Sequence, residues 1–177
     1  MTNLYLIRHG IAAERGSYEN DEERPLTPSG DRKTRKVAQR LDQLGIKFDR
    51  ILSSPLVRAR QTADILQRQG LSSTLEVFPA LSPEGDIQDW LNWYDRHGKT
   101  TDQNIALVGH QPDLGNWAEI LVWGEARERL VVKKAGVIGI ILPESDSMVG
   151  NSQLFCLTPP RFLVESTVEN SKKQKKW

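Results

Sequence analysis

Strand and helix patterns alternate along this chain from Leu4 to Val122, and that alternation limits its fold more than any other feature. Short apolar runs at Leu4–Ile7, Phe48–Ser53, Leu75–Phe78 and Asn104–Val108 each lead, directly or through a loop, into a stretch with helical spacing. Strands that alternate with helices pair in parallel, and the helices cover both faces of the sheet. The predicted class is α/β, a three-layer α/β/α arrangement with a mostly parallel central sheet.

The helices are legible from their caps and stripes. Thr27 caps the first, Pro28 takes its first position, Val37, Leu41 and Leu44 share a face, and Gly45 stops it. The second spans about Leu56 to Gln69, with Leu56, Ala59, Ala63 and Leu66 as its buried stripe. Asp86 caps a third that carries Ile87, Trp90, Leu91 and Tyr94 and ends at Gly98. Pro112 opens a fourth with Leu114, Trp117, Ala118 and Leu121. Val131–Leu142, interrupted at Lys133–Gly136, supplies one or two further strands, and Gln153–Leu157 a last one antiparallel to it. The stretch from Glu14 to Arg24, rich in Glu and Asp, reads as a solvated loop with room to move. Arg32, Lys33, Arg35 and Lys36 read as a solvated helix face.

With 177 residues the chain has room for one domain with a real core. Residues 1–160 are expected to form it. Residues 161–177, where apolar side chains thin out and Lys172, Lys173, Lys175 and Lys176 gather, are expected to be a weakly ordered tail. A formal net charge of +1 gives no argument for nucleic acid or membrane as a partner, so any anion site must come from local placement of charge. Cys156 is the single cysteine, which excludes an intramolecular disulfide and fits a reducing compartment. No signal-peptide pattern follows Met1 and no apolar run is long enough to span a bilayer, so the expected location is the cytoplasm.

Three of the strands end on residues that carry chemistry. Leu4–Ile7 runs into Arg8-His9-Gly10, Ile51-Leu52 into Ser53-Ser54-Pro55 with Arg58 one turn on, and Ile105–Val108 into Gly109-His110. In open α/β sheets, ligands bind outside the carboxyl ends of the strands. If these strands are parallel neighbours, Arg8, His9, Arg58 and His110 converge on one edge beside the amino ends of two helices. Two guanidiniums and helix N-termini suit a dianionic phosphate group, and histidines in that field are pushed toward the neutral, nucleophilic form. A lone histidine is usually structural and a lone arginine usually solvated; the four together are the argument. Metal binding by His9 and His110 is disfavoured by the neighbouring arginines and by the lack of a third ligand. No Gly-x-Gly-x-x-Gly follows the first strand and no Gly-Lys-Ser/Thr phosphate loop is present, which disfavours nucleotide folds.

The residues at these strand ends carry a resemblance. Leu6-Ile7-Arg8-His9-Gly10 resembles the signature of the histidine phosphatase superfamily, which includes the phosphoglycerate mutases. Leu26-Thr27-Pro28-Ser29-Gly30 resembles the segment before that family's first helix. Ser53 to Thr62 resembles its Ser-Ser-Pro-x-x-Arg-Ala-x-Gln-Thr segment, and Leu107 to Pro112 its Val-Gly-His-x-Pro segment. The four motifs stand in the family's order across most of the chain. Within the superfamily, the length and the short Leu81–Asp86 loop most resemble the small SixA-type phosphohistidine phosphatases.

The resemblance implies a phosphoglycerate mutase-like fold and His9 as the nucleophile, forming a phosphohistidine that water hydrolyses. Arg8, Arg58 and His110 would hold the phosphoryl oxygens, with no cofactor and no metal. Glu84 is the candidate proton donor. Asp86 lies close by and is more simply a helix cap. A phosphoramidate leaves as an imidazole and needs less acid help than an alkoxide, so a weakly placed acid suits phosphohistidine. The expected substrate is a phosphorylated protein of the histidine phosphotransfer type. The alternatives are a small-molecule phosphomonoesterase of the same superfamily and, less favoured, a non-catalytic phospho-binding module.

Overall fold

The computed structural model describes residues 1–97, 103–144 and 147–164. Its centre is a six-stranded sheet of β1 (Thr2–Arg8), β2 (Arg50–Ser53), β3 (Leu75–Val77), β4 (Asn104–Gly109), β5 (Val137–Leu142) and β6 (Gln153–Thr158), in the order β3-β2-β4-β1-β5-β6. β3, β2, β4 and β1 are mutually parallel, β5 runs antiparallel to β1, and β6 antiparallel to β5. The sheet is therefore largely parallel, as the alternation predicted.

Among the described residues, the helices α1 (Pro28–Gln43), α2 (Val57–Arg68), α3 (Ile87–His97), α4 (Asp113–Trp123) and α5 (Pro160–Leu163) flank it. Side chains alternate across a strand, and each inner strand feeds two cores. Tyr5 and Ile7 of β1 and Ala106 and Val108 of β4 pack with Val37 and Leu41 of α1 and Ala59, Ala63 and Leu66 of α2. Leu4, Leu6 and Leu107 point the other way, against Trp90 and Tyr94 of α3 and Leu114, Trp117 and Leu121 of α4. Burying a Leu or Ile side chain contributes about 1.5–3 kcal/mol, so two cores of this kind hold β1 and β4 firmly between them. Register pairs Arg8 with Gly109 and Ser53 with Val108, and three strand ends therefore finish on one edge.

The caps behave as their residues require. Thr27 accepts a hydrogen bond from Gly30 N at 3.0 Å, and Asp86 Oδ1 accepts from Gln88 N at 2.9 Å. Gly45 and Gly124, after α1 and α4, adopt positive φ of 74° and 87°.

Several expectations change. α1 ends at Gln43, which leaves Leu44 outside the helix and half exposed instead of on its buried face. Of the one or two strands expected over Val131–Leu142 only Val137–Leu142 forms; Val131 and Val132 lie outside any strand. The interruption at Lys133–Gly136 is a turn in which Ala135 N donates to the carbonyls of both Arg8 and His9 and Gly136 N to Lys133 O. Residues 161–164 are not part of a loose tail: Pro160 starts α5 and Leu163 is buried in the core that includes Val37. The rest of the expected tail, and Gly98 at the end of α3, lie outside the described residues. The Glu14–Arg24 stretch is anchored. It contains a single 3-10 turn, Asp21–Glu23, and Arg24 is only 6% exposed. Among the described residues, no helix is long and apolar enough to cross a membrane.

Candidate active site

The register delivers His9 and His110 to the same point, their ring centroids 5.1 Å apart and both side chains buried. His9 sits on the residue after β1, where its backbone N donates to Gly109 O at 3.0 Å. Its Nδ1 lies 2.7 Å from the carbonyl oxygen of Gly10. A carbonyl only accepts, so Nδ1 carries the proton and the lone pair is on Nε2. Gly10 is held in turn, because its N donates to Thr62 Oγ1 at 3.0 Å and Thr62 donates on to Arg58 O at 2.8 Å. A Cβ on Gly10 would collide with Thr34 Oγ1, and one on Gly30 with the Ile11 carbonyl; only glycine lets α1 close against this loop.

His110 Nε2 lies 2.8 Å from Ser54 Oγ. That hydroxyl also accepts from Leu56 N at 3.3 Å, and with a second lone pair and its own proton it can either accept from Nε2 or donate to it. Nδ1 is buried and has no partner among the described residues. Arg58 is 4% exposed and Arg8 half-buried, and the Nε of each is likewise buried without a partner. Arg8 Nη1 donates to Val132 O at 3.0 Å, and Arg58 Nη1 and Nη2 donate to Asp21 O and Oδ2 at 2.8 and 3.1 Å.

Electrostatics fixes the state of the two imidazoles. Burial, then the neighbouring His110, Arg58 and Arg8, pull His9 down to about 3. Burial, then Arg58 and Arg8, pull His110 down to about 3 as well. Both are neutral at physiological pH, with desolvation the larger cause and the arginine field the smaller. The Lys134 ammonium, on the turn that clasps Arg8 and His9, is lowered by burial and then by Arg8, Arg24, Arg15 and Arg58. The region is a concentration of fixed positive charge around two neutral rings.

Arg8, His9, Arg58 and His110 are thus brought together. Glu84 is exposed, has a positive φ of 66°, and its N donates at 3.3 Å to Oδ2 of Asp113, three residues past His110. Its charge helps to raise Asp113, after the larger effect of burial. The carboxylate whose charge reaches His110 is Asp21, which Arg24 and Arg58 hold well below the usual carboxylate range. Asp21, Arg24, Ser54, Thr62 and Lys134 are residues the sequence did not single out as part of the site. Ser54 and Thr62 lie inside the Ser53–Thr62 motif; the other three carried no signal. Among the described residues, no group of three or more His, Cys, Asp or Glu side chains could hold a metal ion.

A neutral imidazole with a free Nε2, ringed by buried N–H donors, can attack an electrophilic phosphorus while its neighbours take the oxygens. Known proteins agree with that chemistry. A family model of the histidine phosphatase superfamily (branch 1) matches residues 4–91. An uncharacterised protein of a Picosynechococcus species is 46% identical over 162 residues, covering 91% of this chain and 98% of that one. This chain belongs to the histidine phosphatase superfamily. The phosphohistidine phosphatase SixA of Escherichia coli K12 is 28% identical over 155 residues, 85% of this chain and 92% of its own. The solved structure of SixA complexed with tungstate superposes with a TM-score of 0.79 at 27% identity, covering 91% of this chain and 99% of that one. Within the superfamily the chain is of the SixA type, and a SixA-type histidine phosphatase is a hydrolase of phosphoryl groups.

Proposed function

We propose that this SixA-type phosphatase removes the phosphoryl group from phosphohistidine on a protein, passing it through His9. The observation that carries the reading is the donor set. Arg8 Nε and Arg58 Nε are buried and without a partner among the described residues, beside a neutral His9 whose Nε2 is free. Leaving a buried donor unsatisfied costs about 1–3 kcal/mol, which an oxyanion held by the two guanidiniums would recover.

His9 Nε2 forms a bond to phosphorus as the P–N bond to the substrate imidazole breaks. That imidazole leaves neutral when its far nitrogen carries a proton. Water then attacks phosphorus, the bond to His9 breaks, and phosphate departs with His9 neutral again. Arg8, Arg58 and His110 balance the charge on the equatorial oxygens throughout. Asp21 is held anionic and so is no proton donor, which fits a leaving group that needs none. The β3-to-α3 connection holds no more than the 3-10 turn Pro79–Leu81 and a short loop, which supports a site that a side chain on another protein can reach. Tungstate, the ligand in the SixA structure, is a tetrahedral oxyanion of phosphate-like shape.

The test compares turnover of a phosphohistidine-carrying phosphotransfer domain with that of small phosphate esters at matched concentration. Faster hydrolysis of the phosphorylated domain supports the reading. Faster hydrolysis of the esters would replace it with a small-molecule phosphomonoesterase.

A further inference from the structure

The Glu14–Arg24 loop, which looked solvated in the sequence, places one carboxylate against a buried arginine of the site. A guanidinium has five N–H groups in a rigid plane, so fixing one edge fixes the direction of the other. At Arg58 the outer edge is taken: Nη1 donates to the main-chain oxygen of Asp21 at 2.8 Å and Nη2 to its Oδ2 at 3.1 Å. The inner edge, at Nε, is buried and without a partner among the described residues. Asp21 is itself held from behind, since Arg24 Nε donates to its Oδ1 at 2.6 Å. Arg24 is buried and its Nη1 donates to Ala13 O at 2.5 Å. The turn around Asp21 is fixed as well, because Asn20 Oδ1 accepts from Glu22 N at 3.0 Å.

Exposed ion pairs contribute little, because water competes and both side chains must be ordered. Here the Asp21 carboxylate is 52% exposed, and the order comes from its two cations, Arg58 at 4% and Arg24 at 6% exposed. Two buried cations converge on one carboxylate. Helix α2 sets where the Arg58 side chain begins; Asp21 sets how its far end is turned.

We propose that Asp21 is the positioning residue of Arg58, gripping its terminal nitrogens so that the Nε edge is presented to the phosphoryl oxygens. The role rests on the phosphatase reading above. It makes the loop part of the machinery: a change at Asp21 acts on the reaction only through Arg58.

The experiment is a double-mutant cycle on the full chain with Asp21→Ala, Arg58→Ala and the double variant, with Asp21→Asn as the conservative control. kcat and KM are measured on a phosphohistidine-carrying phosphotransfer domain, tungstate affinity by calorimetry, and folding by thermal melting. Asp21→Ala is expected to lower kcat/KM by about 10- to 100-fold, as misplacement of an oxyanion donor does. The double variant should be no worse than Arg58→Ala alone, and Asp21→Asn, whose amide oxygen still accepts from Nη2, should recover most of the loss. Additive losses, or full activity in Asp21→Ala, would overturn the proposal. So would tighter tungstate binding by Asp21→Ala with kcat unchanged, because Asp21 would then compete with the substrate for Arg58. If Asp21→Ala melts too low to assay, Asp21→Asn carries the test: a cooperative fold with tungstate affinity near wild type supports the proposal, and an Arg58→Ala-like loss overturns it. Arg58→Ala guards the underlying reading. If it binds tungstate as wild type does, the phosphate site itself is misassigned; if it loses binding while Asp21→Ala does not, only the positioning role fails.

Discussion

Acidification should destabilise this protein through its two site histidines. Both imidazoles are ordinary in the unfolded chain, near 6.5, and pulled down to about 3 in the folded one. Between those values the unfolded state binds more protons than the folded state, so stability rises with pH and is lost as pH falls through 6.5. From pH 7 to pH 5.5 an unfolded imidazole goes from about one-quarter to about nine-tenths protonated, while the folded ones stay neutral. The cost is about 1.2 kcal/mol per histidine and about 2.5 kcal/mol for both. Burial is nearly complete at each ring, 7% and 4% exposed, so solvent does little to soften the effect. Urea denaturation at the two pH values gives the measurement, on wild type and on the His9→Asn, His110→Asn and double variants. Asparagine does not titrate, and carboxylates and the remaining histidine cancel in the difference. The wild type should lose about 2.5 kcal/mol more than the double variant, and each single variant about half of that. Equal losses in wild type and double variant would refute the argument, since the rings would then be solvated or charged in the folded state.

Other outcomes follow from contacts around the site. Thr62→Val leaves Gly10 N–H buried without its acceptor and should cost about 1–3 kcal/mol in thermal denaturation, with a fall in kcat as the Gly10 carbonyl that orients His9 shifts. Ser54→Ala removes the partner of His110 Nε2 and should lower kcat by about 2- to 10-fold, the worth of one net hydrogen bond, measured on the phosphorylated domain. Glu119 lies in α4, buried, and accepts from the backbone N of Arg127, Arg129 and Leu130, so Glu119→Gln should lose about 3 kcal/mol in urea denaturation. Its carboxyl is held below its ordinary value by those bonds, against burial, so its contribution is present at neutral pH and disappears as pH falls through the carboxylate range.

The four pocket residues were legible because each lies at or just past the end of an apolar strand, and parallel strands put those ends on one edge. That signal is local, and it needs no knowledge of distant contacts. Asp21 carried none. It sits among Glu19, Glu22 and Glu23, and its partner Arg58 lies 37 positions away, so nothing in the loop's composition separates it from its solvated neighbours. Glu119 was hidden for a related reason. It falls beside the apolar face of α4, and the amides that neutralise its burial come from a loop without periodicity. Leu44 shows the reverse error, since a residue at the right spacing counts for the core only while the helix continues. The acid at Glu84 was placed by family resemblance alone, and its backbone N donates to Asp113, three residues past His110.

The most direct test of the account is to identify where the phosphoryl group rests during turnover. Wild-type protein mixed briefly with phosphorylated phosphotransfer domain and quenched in base should carry an acid-labile, base-stable phosphoryl group. Peptide mapping should place it on His9. Phosphorus NMR should assign it to Nε2, the nitrogen left free by the 2.7 Å hydrogen bond from Nδ1 to Gly10 O. A label on Nδ1, a label on another residue, or undiminished hydrolysis by His9→Ala would contradict the account.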